Sequence, residues 1–225
     1  VGTEGIYAAG QIKFKSAEAA MSINRGREML ISFAPVFTSY LTDPKVVKAL
    51  NFYLSLLKSI ELRTSAAVLL NRPGGEEYFR NAIKKNVPDL INALIDQKRQ
   101  ELIKSCRNIS GMGHGLTPTG DDLIHGVFIA YSALVNGRRV KQSFNLSQLE
   151  MPFETGLFGQ HMLEIGKRGL TPAVVGSYLE ALNEGHCAEE HLHRLLKIGS
   201  STGSDLAIAI TYALNLFAEN SILCR

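Results

Sequence analysis

Gly111-Met112-Gly113-His114-Gly115-Leu116-Thr117-Pro118-Thr119-Gly120-Asp121-Asp122, followed by Leu123-Ile124-His125-Gly126 and an apolar run, is the densest cluster of reactive and backbone-permissive residues in the chain. Four glycines within ten residues permit close backbone approach, and Thr-Pro-Thr-Gly-Asp-Asp then announces a helix start. The same design returns near the C-terminus. Gly199-Ser200-Ser201-Thr202-Gly203-Ser204-Asp205-Leu206 aligns without gaps on the first copy, Thr119 with Thr202, Gly120 with Gly203, Asp121 with Ser204 and Asp122 with Asp205. A partial third echo, Gly169-Leu170-Thr171-Pro172, repeats the letters of residues 115–118 and also opens an apolar segment. Two loop-to-helix units of one design predict an internal pseudo-repeat, and three related helix starts are placed to converge on one ligand.

What these loops offer chemically has two readings. Thr119 with Asp122, and Thr202 with Asp205, match the Ser/Thr-x-x-acid capping pattern with Asp for the usual Glu. Such a cap is worth about 1 kcal/mol and needs no ligand. Asp121 exceeds what capping requires, because a second carboxylate adds repulsion and no further cap. It is therefore the leading candidate for a functional acid, with Asp122 and Asp205 organising the loops. The functional reading uses the free N–H groups and positive dipole end of a helix N-terminus, which suit phosphate or carboxylate. Gly113, Gly115, Gly120 and Gly203 let a ligand near the main chain, and Thr117, Thr119, Ser200, Ser201, Thr202 and Ser204 supply hydroxyls. Carboxylates beside an anion call for a mediator: a metal such as Mg²⁺, a basic side chain, for which Arg168 is the candidate, or a ligand with N–H donors such as a carbamoyl group. No cofactor is required by the sequence, and no metal-ligand set stands out.

The histidines divide. His114, inside the glycine loop, is a candidate acid, base or anion ligand, or a plain exposed loop residue. His125, one turn after Asp121, is placed for a carboxylate–imidazole pair, or for a polar place in the core. His186, His191 and His193 lack the HExxH spacing of a zinc helix. No Gly-Lys-Ser/Thr closes the glycine loop, so it is not a P-loop.

The rest of the chain predicts a mainly α protein with a small β-rich start, an α+β helical bundle: residues 1–40 form the β-rich section and residues 41–225 a helical domain carrying both Thr-Gly-x-Asp loops. Gln11-Ile12-Lys13-Phe14-Lys15 alternates, Met29–Phe33 is an apolar run, and Gly2, Gly5, Gly10 and Gly26 punctuate them. Thr42-Asp43-Pro44 starts a helix whose Val46, Val47, Leu50, Tyr53, Leu54, Leu57 and Ile60 recur at helical spacing. Residues 71–75 form a turn. Further helices are expected over 76–86, 88–106, 122–135, 153–167, 172–183, 188–197 and 203–218, with a polar connection over 138–147.

With 225 residues, 45% of them hydrophobic, the chain has ample material for a core. A net charge of +3, with Lys84-Lys85 and Arg138-Arg139 as short solvated pairs, gives no nucleic-acid footprint. No apolar run reaches membrane-spanning length and no signal-peptide architecture opens the chain, so a cytoplasmic location is expected. The start at Val1 without methionine leaves room for a leading segment. Three cysteines, Cys106, Cys187 and Cys224, without CxxC spacing argue against a disulfide framework or structural zinc.

At the two loops the sequence resembles the family of the AllH-type subunit of oxamate carbamoyltransferase, in its Gly-x-Gly-x-Gly-Leu-Thr-Pro-Thr-Gly-Asp-Asp-Leu and Gly-Ser-Ser-Thr-Gly-Ser-Asp-Leu motifs. The likeness extends more loosely over residues 89–216. Thr119 stands where the family has Ser, and Gly169-Leu170-Thr171-Pro172 where it tends to paired threonines. The resemblance implies a part in anaerobic purine (allantoin) degradation, in a multi-subunit enzyme that converts oxalurate and phosphate to oxamate and carbamoyl phosphate. A small anionic metabolite and other subunits are then the expected partners. Two alternatives stay open: a non-catalytic metabolite-binding or regulatory subunit, and a metal-dependent hydrolase using Asp121 and Asp122.

Overall fold

The computed structural model of the protein describes residues 6–7, 12–13, 20–23, 27–140 and 144–220. Outside them lie the glycines expected as punctuation (Gly2, Gly5, Gly10 and Gly26), the flanks Gln11, Phe14 and Lys15, residues 141–143 of the polar connection, and Cys224. Strand β1 (Ile6–Tyr7) pairs antiparallel with β2 (Ile12–Lys13), and β3 (Ala20–Ile23) with β4 (Arg27–Phe33). A further strand, β5 (Leu170–Pro172), lies antiparallel on β4 with Thr171 opposite Ser32. The third echo of the loop sequence is thus a sheet edge, where Pro172 is tolerated.

Eight α-helices stand among the described residues. Helix α1 (Pro44–Ser59) starts as its letters predict, the Asp43 carboxylate accepting from the Lys45 N–H at 3.0 Å. A 3₁₀ turn follows at Ser65–Leu70, unmarked by any periodicity. Helix α2 (Glu77–Ile95) then runs through Pro88, and the break expected there falls instead at 96–98, ahead of α3 (Arg99–Ile109). Proline inside a helix costs about 3 kcal/mol. Ile83, Val87, Leu90, Ile91 and Leu94 form one buried stripe across it, each fully buried side chain contributing roughly 1.5–3 kcal/mol, so packing wins.

The remaining helices are α4 (Thr119–Asn136), α5 (Leu157–Lys167), α6 (Ala173–Glu184), α7 (Glu189–Leu195) and α8 (Thr202–Glu219). Helix α5 starts later than expected from residue 153 because the preceding chain is held extended: Glu154 N–H donates to Ser110 Oγ at 3.0 Å and the Thr155 hydroxyl to Asp121 at 2.5 Å. Among the described residues no helix is long and apolar enough to cross a membrane.

Helices α4 and α8, the two halves of the pseudo-repeat, form the buried centre. Each is 18 residues long and buried on nearly every side. They run in the same direction: Thr119 lies by Asp205 at one end, and the Tyr131 and Phe217 rings lie 6.1 Å apart toward the other. Between these points the helices touch at Gly126, where an added Cβ would stand 2.6 Å from the Ala209 Cβ and 3.3 Å from the Leu206 carbonyl oxygen. Gly126 and Ala209 are equivalent positions of the repeat, so the crossing lies on its pseudo-twofold axis.

This contact is testable by denaturant unfolding. Gly126→Ala is expected to lower stability by about 1–3 kcal/mol through overpacking, despite a helix-propensity gain of about 1 kcal/mol. Combining it with Ala209→Gly is expected to recover at least about 0.5 kcal/mol relative to the sum of the single changes; strictly additive effects would contradict the crossing.

Candidate functional site

Each loop folds back on the helix before it. An added Cβ at Gly120 would stand 1.8 Å from the Ile109 carbonyl oxygen, and one at Gly203 2.0 Å from that of Leu195, so neither position accepts a side chain. Gly120 N–H donates to Met112 O at 2.8 Å, and Gly203 N–H to Ile198 O at 3.0 Å. The two loops also touch each other, with the hydroxyls of Thr117 and Thr202 2.9 Å apart.

The expected capping boxes do not form. Pro118 and Ser201 occupy the cap positions and neither uses its side chain. Thr119 and Thr202 are the first helical residues, one position too late to cap, and their hydroxyls cross between the repeats instead. That of Thr202 reaches Asp122, while that of Thr119 reaches Asp205, an exchange the pseudo-twofold axis predicts. Thr117 adds a second hydroxyl to Asp122, and Thr64 and Ser201 serve Asp205. Both aspartates are buried, at 4% and 0% exposure, and the Oδ2 atom of each has no hydrogen-bond partner among the described residues.

This environment disfavours charge. Burial pushes the Asp205 carboxyl up to about 7, against which the hydroxyls of Thr64, Thr119 and Ser201 pull it down. Asp122 is raised well above the ordinary carboxylate range, first by burial and then by the nearby charge of Asp205. No Lys, Arg or His figures among the influences on either group. Both carboxyls are therefore shifted toward keeping their protons to higher pH than an ordinary aspartate.

Asp121 differs from its neighbour. One of its oxygens accepts from Gly111 N–H at 2.8 Å and the other from the Thr155 hydroxyl at 2.5 Å, so its carboxylate ties the glycine loop to the start of α5. Its carboxyl is raised by burial and lowered by those two bonds. The amides of the helix starts are largely turned inward: Asp121 and Asp122 N–H both donate to Pro118 O, at 2.9 and 3.1 Å, and Asp205 N–H to Ser201 O at 2.9 Å. With these amides spent, the Oδ2 atoms of Asp122 and Asp205 are left as acceptors without a donor among the described residues.

The other expected site residues spread outward. Gly113 backs onto the Thr119 amide, and Gly115 stands in open space. Ser204 Oγ donates to Ser201 O at 2.6 Å, and Ser200 is exposed. His114 lies on the surface with Nε2 3.0 Å from Glu76 at the start of α2. Arg168 is remote: it lines a cavity of about 350 Å³ with Ser132, Asn136 and Lys167, toward the far end of α4. Ser132 is about 20 Å along the helix from Thr119, so the third echo does not join the other two. His125 does not pair with Asp121; its Nδ1 lies 3.0 Å from the Met162 carbonyl, and burial lowers its pKa to about 4. Thr64 and Thr155, which sequence reasoning missed, both touch the carboxylates. Among the described residues no group of three or more His, Cys, Asp or Glu is placed to hold a metal ion, and Cys106 and Cys187 are free.

The pair makes a pH prediction. A carboxyl whose folded pKa is about 7 binds its proton more tightly folded than unfolded, so its cost is absent below about pH 4 and complete above pH 7. His125, held neutral, acts oppositely over part of that range, its stabilisation being lost as pH falls from 6.5 toward 4. The readout is therefore the difference between variant and parent. Asp205→Asn is expected to raise the melting temperature at pH 8 and leave it nearly unchanged at pH 4; an equal change at both would refute a buried, reluctantly charged Asp205.

Residues 109–214 match the family model described as oxamate carbamoyltransferase subunit AllH. No curated protein and no solved structure matches the chain. The matched segment runs from the last residue of α3 to near the end of α8 and holds both loops and all three aspartates. Over this segment, a little under half of the chain, the sequence is similar to the family of oxamate carbamoyltransferase subunit AllH.

Proposed function

We propose that the chain is a subunit of a carbamoyltransferase acting between oxalurate and phosphate on one side and oxamate and carbamoyl phosphate on the other, with the Asp122–Asp205 pair receiving the carbamoyl group. The observation that supports this is two buried carboxylates with unpartnered Oδ2 atoms, one from each repeat, with the charge of Asp205 felt at Asp122. A ureido or carbamoyl group carries N–H donors, which such acceptors recognise directly and a phosphate does not.

In the reaction a phosphate oxygen attacks the ureido carbonyl carbon, forming a C–O bond, and the bond from that carbon to the oxamyl nitrogen breaks. The nitrogen takes up the proton that phosphate loses, giving oxamate and carbamoyl phosphate. A carboxyl raised to about 7, as that of Asp205 is, is suited to hold a proton and deliver it to the departing nitrogen. Thr117 and Thr202 orient Asp122 through their hydroxyls, and Thr64, Thr119 and Ser201 orient Asp205. Asp121 is a positioning residue, setting the glycine loop against α5.

A second reading, a metabolite-binding subunit without chemistry of its own, draws on the full burial of Asp205 behind Thr64. One experiment separates the two. In the assembled enzyme Asp122→Asn is expected to lower phosphate-dependent consumption of oxalurate by about 10²–10⁴-fold, the usual worth of a positioned acid or base, with assembly unchanged. Activity within about twofold of the parent would reject the catalytic role and favour the binding subunit.

A further inference from the structure

The loops that carry the carboxylates contain no basic residue. Between Ser110 and Asp122, and between Ile198 and Asp205, there is no Lys or Arg. Arg80, on the side of Thr64, spends its guanidinium on the carbonyls of Gly74 and Gly75, at 3.4 and 2.8 Å. His114 faces Glu76. Phosphate and oxalurate are both anions, and recognition of such groups calls for cations. On the reading above the described residues supply acceptors and a proton, and among them no lysine or arginine acts on Asp122 or Asp205.

Around the same loops stand large apolar side chains exposed to solvent: Leu116 at 73%, Leu157 at 87% and Tyr78 at 70%. Leu116 precedes Thr117, which touches Thr202 across the loops. Leu157 is two residues from Thr155, whose hydroxyl binds Asp121, and from Gly159, where a Cβ would stand 2.2 Å from the Asp121 carboxylate. Tyr78 packs edge-on against Phe79, which in turn meets the His114 ring, with centroids 5.8 and 6.0 Å apart. An added Cβ at Gly115 or Gly156 would meet nothing within 4 Å, so there is open space beside Leu116 and Leu157. An apolar collar around an acidic centre is the profile of an interface core that surrounds a desolvated charge pair.

We propose that Leu116, Leu157 and Tyr78 form the docking collar for another subunit of the enzyme, one that presents an apolar surface enclosing a lysine or arginine and so completes a composite active site over Asp122 and Asp205. The inference rests on the proposed function for the reaction, while the interface itself stands on charge complementarity and exposure. The partner's cation answers the missing charge, and its apolar surface excludes water from the pair.

The test uses the chain with the other subunits of the carbamoyltransferase. Leu116→Arg combined with Leu157→Arg, at positions exposed enough to leave the fold intact, is expected to weaken assembly at least tenfold by analytical ultracentrifugation with an unchanged melting temperature. Val47→Arg, an exposed apolar position near the start of α1, is expected to leave assembly as it was. Assembly is also expected to lower the pH at which the Asp122–Asp205 pair titrates, because a nearby cation favours the charged form. Parental affinity in the double variant would overturn the collar, as would loss of self-association of this chain with the other subunits still bound. Intact assembly with an unchanged titration would overturn the basic partner residue. Assembly that depends on the collar while Asp122→Asn remains fully active would sink the proposed function and leave the interface standing.

Discussion

Helices α4 and α8 run parallel and touch through Gly126, and this places two like dipole ends side by side. Each N-terminus carries about half a positive charge, so an adjacent carboxylate gains roughly 0.3–1 kcal/mol. Burying a carboxylate without a cation costs several kcal/mol. The dipoles therefore cannot explain why Asp122 and Asp205 are where they are. Hydroxyls from Thr117 and Thr64, with those of Thr119 and Thr202 crossed between the repeats, reduce that cost, and a retained proton reduces it further. What remains is a strained acid pair, the kind of environment that functional sites maintain at the expense of stability.

The two halves of the repeat are alike in backbone and unlike in one side chain. Where the first repeat has Asp121, bound to Gly111 and Thr155, the second has Ser204, bound within its own turn to Ser201. The first loop is consequently fastened to α5, and the second is not. This asymmetry leaves the shared pair between the repeats while giving only one side the contact that carries Leu157 toward the site. A site built on such an axis is acidic, and in the proposed reaction the positive charge that a phosphorylated product calls for is assigned to a partner surface.

Much of the frame was legible in the sequence because it rests on local rules. The Asp43-Pro44 helix start, the two glycine loops and the equivalence of Thr119 with Thr202 are matters of short-range spacing and backbone permissiveness. The roles within the loops were harder to read. Capping chemistry is local and predicted that each threonine serves its own helix, whereas the fold places those threonines one residue too late and turns them toward the opposite repeat. Asp121 looked superfluous and so functional, but its partner Thr155 lies 34 residues away and carries no pattern that marks it. Thr64, which touches Asp205 from the turn after α1, is equally silent. Pro88 misled for the opposite reason, since a strong local signal yielded to a buried stripe. The third loop echo shares letters with the site but is drawn into the sheet edge by β4, and Arg168, just before it, lines the cavity toward the far end of α4.

The central claim is that Asp122 and Asp205 titrate as one buried pair. Site-resolved carboxyl ¹³C NMR of the free chain, labelled at aspartate and assigned with Asp122→Asn and Asp205→Asn, follows both groups through their transitions. The account predicts coupled titration with one step near pH 7. Two independent transitions at the ordinary aspartate value of about 3.9 would contradict it.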